Sequence, residues 1–263
     1  MKKLIWVGIA VSLLTPALAS AQTGFNGTWK INFDKSQMPK KPDVYLIQDG
    51  MYHCKSCVPV IEVKADGQDQ KVTGDPYIDS LSVKVVDERN IVEVAKKNGK
   101  TVATTKDILS ADGNTLTFEY TDSTATSGAS VTGKSEMMRV EKGPAGSHAM
   151  SGSWQIKKVD SASDNGIMFT YKVEADSLSM TTPLGQSFTA KMDGTEAPFT
   201  GDPGTTSLTI KRINATTIEE TDKRDGKIIS VSRATLSADG KSMSIAVDDR
   251  RRGTTAQYVA EKQ

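Results

Sequence analysis

Both cysteines of the chain and one of its two histidines lie in a single pentapeptide, His53-Cys54-Lys55-Ser56-Cys57. In an oxidising compartment, two thiols at this spacing most simply form a local disulfide that holds a turn. A redox-exchange role would favour a Cys-x-x-Cys at a helix N-terminus, where the thiol pKa is lowered, whereas this pair lies between predicted strands. Structural zinc sites take four ligands, and this segment offers at most three. We therefore predict a Cys54–Cys57 disulfide, with a redox or metal role as the alternative.

Four other residues are candidates for contact with a small ligand: Trp29, Trp154, Arg250 and Arg252. Each tryptophan follows a glycine by two positions. We interpret the tryptophans as plugs at the floors of barrels, with ligand stacking as the alternative. The two arginines flank Arg251 ahead of a glycine. A solvated hairpin turn is the simplest interpretation of this run, and contact with an anion or a lipid headgroup at the mouth of a barrel is the alternative.

The sequence carries none of the common motifs of catalysis. It contains no Gly-x-Ser-x-Gly, no His-Glu-x-x-His, no glycine-rich phosphate loop and no dinucleotide fingerprint. We therefore expect a protein without enzymatic activity, cofactor or bound metal. Paired carboxylates for glycoside chemistry stay open, because a sequence does not show how far apart two acidic groups lie.

The composition is that of an ordinary globular protein of 263 residues, with 37% hydrophobic and 25% charged residues. Its 33 Lys and Arg residues nearly balance 32 Asp and Glu residues, which gives a formal net charge of +1. Nucleic-acid binding calls for a clearly basic face, so a nucleic-acid partner is not expected. The length suits one large domain or two modest ones.

Residues 1–21 have the pattern of a secretory signal peptide. Lys2 and Lys3 precede an apolar run over residues 4–14, and the small residues that end at Ala21 fit a cleavage site. The apolar run is too short to span a bilayer and no second long apolar segment follows, so no transmembrane segment is expected. We predict a secreted or periplasmic bacterial protein that resides in an oxidising compartment.

The remainder of the chain repeats itself at an offset of 127 residues. The segment Leu-Ser-Ala-Asp-Gly at 109–113 recurs letter for letter at 236–240. A Thr-Gly-Asp-Pro turn at 73–76 likewise recurs at 200–203. Matches that hold one offset over so many positions indicate a tandem duplication.

The boundary between the two copies is marked by a short stretch rich in glycine, proline and other small residues. Such composition is typical of a connecting loop. We place repeat one at 22–143, the linker at 144–149 and repeat two at 150–263. Each repeat is expected to be a domain of its own.

Within each repeat, apolar and polar residues alternate with a period of two. Met243, Ile245 and Val247, for example, are separated by Ser244 and Ala246. Asp-Gly and Asn-Gly pairs between such runs suit the tight turns of hairpins. The pattern predicts an all-β protein built of two tandem antiparallel up-and-down β-barrels of roughly eight strands each, with flattened β-sandwiches as the alternative.

The Gly-x-Trp of the first strand, followed by an up-and-down meander, resembles the calycin superfamily, that is, lipocalins and fatty-acid-binding proteins. The wider pattern is similar to a group of secreted bacterial proteins described as lipocalin-like, which carry Gly-Thr-Trp-Lys, Lys-x-Asp-Gly and Thr-Gly-x-Pro. These motifs lie here at 27–30, 64–67 and 73–76, and they recur in repeat two except that Ser153 stands for the threonine and Gln155 for the lysine of the first motif. The calycin resemblance also implies a closing-strand arginine against the tryptophan, for which Arg139 is the candidate in repeat one.

On this resemblance, the protein is expected to be non-enzymatic and to bind a small apolar or amphipathic molecule inside one or both barrels. The first alternative is a structural or protein-interaction module of the cell envelope whose barrels are solid. The second alternative is a redox or metal role of Cys54 and Cys57. Whether the barrel interiors are hollow distinguishes the expected function from the first alternative.

Overall fold

The structure, a computed structural model, describes residues 23–263, so the predicted signal peptide at 1–21 lies outside the described residues. Twenty strands form two antiparallel sheets of ten strands, each curled into a nearly closed barrel. The prediction of an all-β protein with two β-barrels is confirmed. Over residues 23–263, no helix has the length and apolar character needed to cross a membrane.

Two-residue turns connect several of the neighbouring strands along the described chain. At the turn between β7 and β8, Asn98 has a φ of 51° and Gly99 a φ of 75°, the left-handed conformation that an Asn-Gly hairpin requires. Two single-turn 3₁₀ segments lie at Thr23–Phe25 and Asp164–Gly166. The strands are β1 (Gly27–Gln37), β2 (Asp43–Gln48), β3 (Met51–Cys54), β4 (Ile61–Lys64), β5 (Gln70–Lys71), β6 (Ser80–Asp87), β7 (Asn90–Lys97), β8 (Lys100–Leu109), β9 (Thr115–Asp122), β10 (Val131–Lys142), β11 (Gly152–Ala162), β12 (Met168–Glu174), β13 (Ser177–Thr181), β14 (Ser187–Lys191), β15 (Asp193–Pro198), β16 (Ser207–Asn214), β17 (Thr217–Arg224), β18 (Lys227–Leu236), β19 (Ser242–Asp249) and β20 (Thr254–Lys262).

The first strands of the two repeats are exchanged. Barrel one consists of β2 to β11, and barrel two consists of β1 together with β12 to β20. Strand β1 of repeat one pairs with β12 and β20 of repeat two. Strand β11 of repeat two pairs in turn with β2 and β10 of repeat one. The chain crosses between the barrels at residues 38–42 and again at residues 163–167.

This exchange differs from the expectation that each repeat folds into a barrel of its own. Residues 22–143 and 150–263 remain the units of the sequence repeat, but neither contains all the strands of one barrel. The expected linker at 144–149 forms the turn between β10 and β11 within barrel one. The sequence does not distinguish the two arrangements, because both first strands carry the same Gly-x-Trp pattern and offer the same pairing edges.

Each barrel is closed at one end by a tryptophan and filled with aliphatic side chains. The predicted alternation is visible in β19, where Met243 is fully buried between two half-buried serines. Trp29 in barrel two and Trp154 in barrel one both have 0% exposure. Burial of such apolar surface is the dominant favourable contribution to folding. We call the tryptophan end of each barrel its floor and the opposite end its mouth.

The mouths of the two barrels face one another, and side chains of each reach the other. Tyr77 of barrel one donates its hydroxyl to Asp202 Oδ1 of barrel two at 2.9 Å. Arg252, in the turn between β19 and β20, forms an ion pair with Asp43 at the start of β2. The Arg252 carbonyl also accepts a hydrogen bond from Lys41 Nζ at 2.7 Å. The two barrels are therefore joined by direct contacts as well as by the exchanged strands.

Candidate functional site

The predicted cysteine pair is brought to bonding distance. The Sγ atoms of Cys54 and Cys57 lie 1.99 Å apart, and the pair closes the turn that follows β3 at the mouth of barrel one. His53 lies on the opposite face of β3 from Cys54, with its Nδ1 atom 3.7 Å from Glu62 Oε2. Among residues 23–263, no group of three or more His, Cys, Asp or Glu side chains could hold a metal ion. The geometry is that of a structural disulfide.

The two tryptophans lie at the floors, where they plug the barrels. The indole N–H of Trp29 donates to the Phe25 carbonyl at 2.8 Å, and that of Trp154 donates to the Met150 carbonyl at 2.9 Å. The guanidinium carbon of Arg139 lies 4.0 Å from the centroid of the Trp154 ring. Arg139 thus packs on a tryptophan, but on that of the other repeat, because the first strands are exchanged.

The arginine run forms the turn between β19 and β20 at the mouth of barrel two. Arg250 pairs with Asp248 at 3.0 Å, and Arg252 pairs with Asp43 of barrel one. The turn is exposed, as the simplest interpretation of the sequence has it. An anion at Arg250 or Arg252 would have to compete with these carboxylates.

A pocket of about 440 Å³ lies where the two mouths meet, and we call it the mouth pocket. Three carboxylates line it: Asp75 and Asp122 from barrel one and Asp202 from barrel two. The wall between them includes the apolar side chains of Ile78, Ala103, Val131 and Leu184. Asp75 and Asp202 belong to the two copies of the Thr-Gly-Asp-Pro turn, so both copies of this motif face one pocket.

The three carboxylates are held in place by their own turns. In each, Oδ1 accepts a hydrogen bond from a backbone N–H two residues further along the chain, as is typical of Asx turns. The donors are Tyr77 to Asp75 at 2.7 Å, Thr124 to Asp122 at 2.7 Å and Gly204 to Asp202 at 2.9 Å. The negative charges of the mouth pocket therefore have fixed positions.

Tyr77 and Gly204 hold equivalent positions in the two turns, and they meet across the pocket. A Cβ atom on Gly204 would lie 2.0 Å from Tyr77 Oη. The space between the two turns holds only one side chain. Because Gly204 has none, the ring of Tyr77 occupies this space. Burial raises the pKa of Tyr77 above its ordinary value, and the nearby Asp202 carboxylate raises it further. The hydroxyl therefore stays protonated and can donate its hydrogen bond to Asp202.

Carboxyl groups also lie inside the barrels, at inward positions of the alternating strands. Barrel one holds Glu93 of β7 and Asp107 of β8, and barrel two holds Glu220 and Asp222 of β17. Burial raises the pKa of Glu93, Asp107 and Glu220, and a neighbouring carboxylate raises it further for the last two. These groups were not predicted. The signal that could have found them is an acidic residue at an apolar position of an alternating run, as Glu93 is in β7.

The interior of barrel one is nearly filled at these groups. The cavity beside Asp107 has a volume of about 10 Å³, which is room for roughly one water-sized group. A sugar ring does not fit this space, so the inner carboxyl pair gives no support to glycoside chemistry. An apolar ligand of drug or lipid size does not fit it either.

A second opening, of about 550 Å³, lies between the exchanged strands β1 and β11. Charged side chains at its border pair with one another, such as Lys30 with Asp164 at 2.7 Å and Lys35 with Glu261 at 2.5 Å. Small-molecule sites are usually apolar with a few polar groups. The mouth pocket meets that description better, and it is the candidate site.

A scan against protein-family models and a search of curated proteins found no match to this chain. The resemblance to lipocalin-like proteins therefore remains a prediction from the motifs quoted above.

Proposed function

We propose that this protein binds a small, positively charged amphipathic molecule in the mouth pocket and does so without catalysing a reaction. The observation that carries the proposal is the combination of an apolar wall with Asp75, Asp122 and Asp202 in one pocket to which both barrels contribute. Apolar side chains favour a hydrocarbon body, and fixed carboxylates favour a cationic head.

The dimensions of the pocket support a small molecule as the ligand. Its volume of about 440 Å³ lies within the range of roughly 300–1,000 Å³ typical of ligand pockets, which often form where two domains meet. Arg251 lies near Tyr77 and offsets part of the negative charge, but three carboxylates still outweigh one guanidinium group. The resemblance implied a ligand inside a barrel, but the cavity beside Asp107 in barrel one is too small for such a molecule. We therefore place the proposed ligand at the mouth.

We infer that the protein acts outside the cytoplasm, as a secreted or periplasmic bacterial protein. The inference rests on the signal-peptide pattern of residues 1–21 and is compatible with the Cys54–Cys57 pair, since disulfides persist in oxidising compartments. In such a compartment, the disulfide would hold the turn after β3 beside the mouth of barrel one.

The second candidate function is that of a protein-interaction module with solid barrels. The nearly filled interior of barrel one favours it. So do Val58 and Val60, which are 46% and 63% exposed in the loop between the disulfide and β4, because exposed apolar side chains grouped in one loop can mark a contact with another protein. In this case the mouth pocket would bind no small molecule.

Isothermal titration of the full mature chain with octylammonium and with octanoate tests the proposed function. The two probes share a hydrocarbon tail and differ in the sign of their charge, so the proposal expects saturable binding of octylammonium and weaker binding of octanoate. Asp122→Asn should weaken octylammonium binding roughly fivefold, which corresponds to about 1 kcal/mol.

The matched control is Asp112→Asn, which removes the same charge from an exposed turn at the floor of barrel one. Its octylammonium affinity should equal that of the wild type. The proposal is wrong if the two probes bind alike, if neither binds, or if both variants weaken binding equally. Absence of binding to either probe would favour the interaction module.

A further inference from the structure

We propose that the cavity beside Asp107 inside barrel one is a second binding site, for an ammonium ion. It lies within the barrel, whereas the mouth pocket lies at its open end, and the two share no lining residue. The inference is therefore independent of the proposed function.

Asp107 is a buried carboxyl group without a hydrogen-bond partner. It faces the barrel interior on β8, opposite Ile91 of β7 and Phe118 of β9. The residue is 6% exposed, and no donor lies within hydrogen-bonding distance of its Oδ1 atom. Buried polar groups are almost always paired, because an unpaired one loses its hydration without compensation. An unpaired buried carboxyl therefore indicates that a partner is missing from the protein itself.

The cavity that Asp107 faces has the shape and lining for a cation. Its volume of about 10 Å³ admits roughly one group of the size of water or ammonium. Three aromatic rings surround it: the centroids of Tyr45 and Tyr52 lie 6.4 Å apart, and those of Tyr45 and Phe118 lie 6.3 Å apart. The faces of aromatic rings attract cations, most strongly where water is excluded.

The charge balance of the interior also favours a cation. None of the residues that line the cavity is basic. Glu93 faces the same interior from β7, and its nearness adds to the effect of burial in raising the pKa of Asp107. An ammonium ion would supply both the hydrogen-bond donor and the positive charge that Asp107 lacks.

The second barrel indicates that the fold does not require a carboxyl at this position. The residue equivalent to Asp107 is Ala234, which is 5% exposed and lies between Ile218 and Ile245 in the matching register. At this position one copy of the repeat therefore has a methyl group and the other a carboxyl. Barrel two has its second inner carboxyl at Asp222, whose Oδ2 accepts a hydrogen bond from Ser230 at 2.6 Å, although its Oδ1 is unpaired. Within residues 23–263, Asp107 has no such donor, so the need for a bound partner is greater in barrel one.

The test is a titration of the full mature chain with ammonium chloride, followed by NMR of the tyrosine rings. Potassium chloride at the same concentration serves as the control, because K⁺ carries the same charge at a similar size but donates no hydrogen bond. We expect the ring resonances of Tyr45 and Tyr52 to shift saturably with ammonium and not with potassium. The thermal midpoint should rise with ammonium concentration, because a ligand that binds only the folded state stabilises it.

Two variants make the test specific. Asp107→Asn keeps the shape of the side chain, and Asp107→Ala introduces the residue that barrel two holds there. Both should weaken ammonium binding by at least about tenfold, since the charge-assisted hydrogen bond is lost. The floor variant Asp112→Asn should bind as the wild type does. Octylammonium binding at the mouth pocket should persist in both Asp107 variants, so failure at one site is distinguishable from failure at the other.

Three results would overturn the inference. The first is a wild type whose Tyr45 and Tyr52 resonances do not respond to ammonium, as expected if the cavity holds only a water molecule. The second is an equal response to potassium, which would show that the change reflects ionic strength or charge alone and not a hydrogen-bond donor. The third is undiminished binding by Asp107→Asn together with Asp107→Ala, which would place the ammonium ion elsewhere in the protein.

Discussion

The hydroxyl of Tyr77 donates a hydrogen bond of 2.9 Å to Asp202 Oδ1, and this bond joins the two barrels at the mouth pocket. The two residues belong to the two copies of one turn, so the duplicated motif contacts itself. The contact is asymmetric, because Gly204 holds the position in barrel two that Tyr77 holds in barrel one. The two copies have thus diverged so that one side chain fills the space between them.

We expect Gly204→Ala to destabilise the protein by about 1–3 kcal/mol, the range typical of overpacked sites. The added Cβ atom would lie 2.0 Å from Tyr77 Oη, so the ring must move. Tyr77→Ala removes the ring, and in that background the Gly204→Ala substitution should cost much less. Urea unfolding of the four proteins of this double-mutant cycle measures the coupling. Additive effects of the two substitutions would contradict the contact.

Because the first strands are exchanged, we expect the two fragments of a chain cut in the β10–β11 turn to remain associated. A protease site introduced between Gly143 and Ser147 would leave β1 in barrel two and β11 in barrel one, so each barrel would still contain a strand of the other fragment. Size-exclusion chromatography without denaturant should show a single species of unchanged size, and urea should separate it into two fragments. Fragments that separate without denaturant would contradict the exchange.

Asp107 should make stability fall as the pH rises. Burial raises its pKa in the folded state, so between the ordinary Asp value of about 4 and the folded value the folded state binds more protons than the unfolded chain. In that window, stability decreases with pH. Asp107→Asn removes this titration, and we expect it to gain about 1–3 kcal/mol relative to the wild type between low and neutral pH.

Urea unfolding of both proteins over this pH range, in an amine-free phosphate buffer, measures the difference. Glu93 and Glu220 also have raised pKa values because they are buried, so some decrease with pH should remain in the variant. Parallel pH profiles for wild type and Asp107→Asn would show that Asp107 is not buried as described.

Arg139 should contribute more to stability than Lys262, which lies opposite Trp29 in barrel two as Arg139 lies opposite Trp154 in barrel one. The Arg139 side chain covers the Trp154 ring and donates to the carbonyls of Gly113, Ser151 and Ala149 at 2.6–2.8 Å. We expect Arg139→Ala to cost about 2–4 kcal/mol, because charged hydrogen bonds and a cation–π contact are lost together.

Lys262→Ala is the matched control in barrel two. Its Nζ atom lies 5.3 Å from the centroid of the Trp29 ring and is exposed, so the loss should stay below about 1 kcal/mol. Thermal and urea unfolding of both variants test the comparison. Equal losses would show that the arginine has no special role at the floor.

Local patterns in the sequence were enough to predict most of the fold. Alternation in segments such as β19 places Met243 inward whatever the neighbouring strands are, because successive residues of a strand face opposite sides. Cys54 and Cys57 are three residues apart, so their pairing depends on one turn alone. The pairing of Arg139 with a tryptophan followed from the resemblance, although the partner is Trp154 rather than Trp29.

The candidate sites depend on contacts between residues distant in sequence, and these were not predicted. Asp75 and Asp202 line one pocket only because the mouths of the two barrels face each other. Asp107 lies in a cavity only because β2, β3 and β9 bring their aromatic residues to the same layer of barrel one. A single acidic residue in an alternating run does not reveal whether its face is closed off by other strands.

By itself, then, the sequence determined the strands, their turns, the duplication and the local cysteine pair, since each depends on neighbouring residues. Only the tertiary structure decided which first strand completes which barrel, because the two copies offer nearly identical edges and the choice depends on the path of residues 38–42 and 163–167 between the barrels. The same tertiary arrangement brings Tyr77 to Asp202 and encloses Asp107, since burial and contact are properties of packed strands rather than of any one segment.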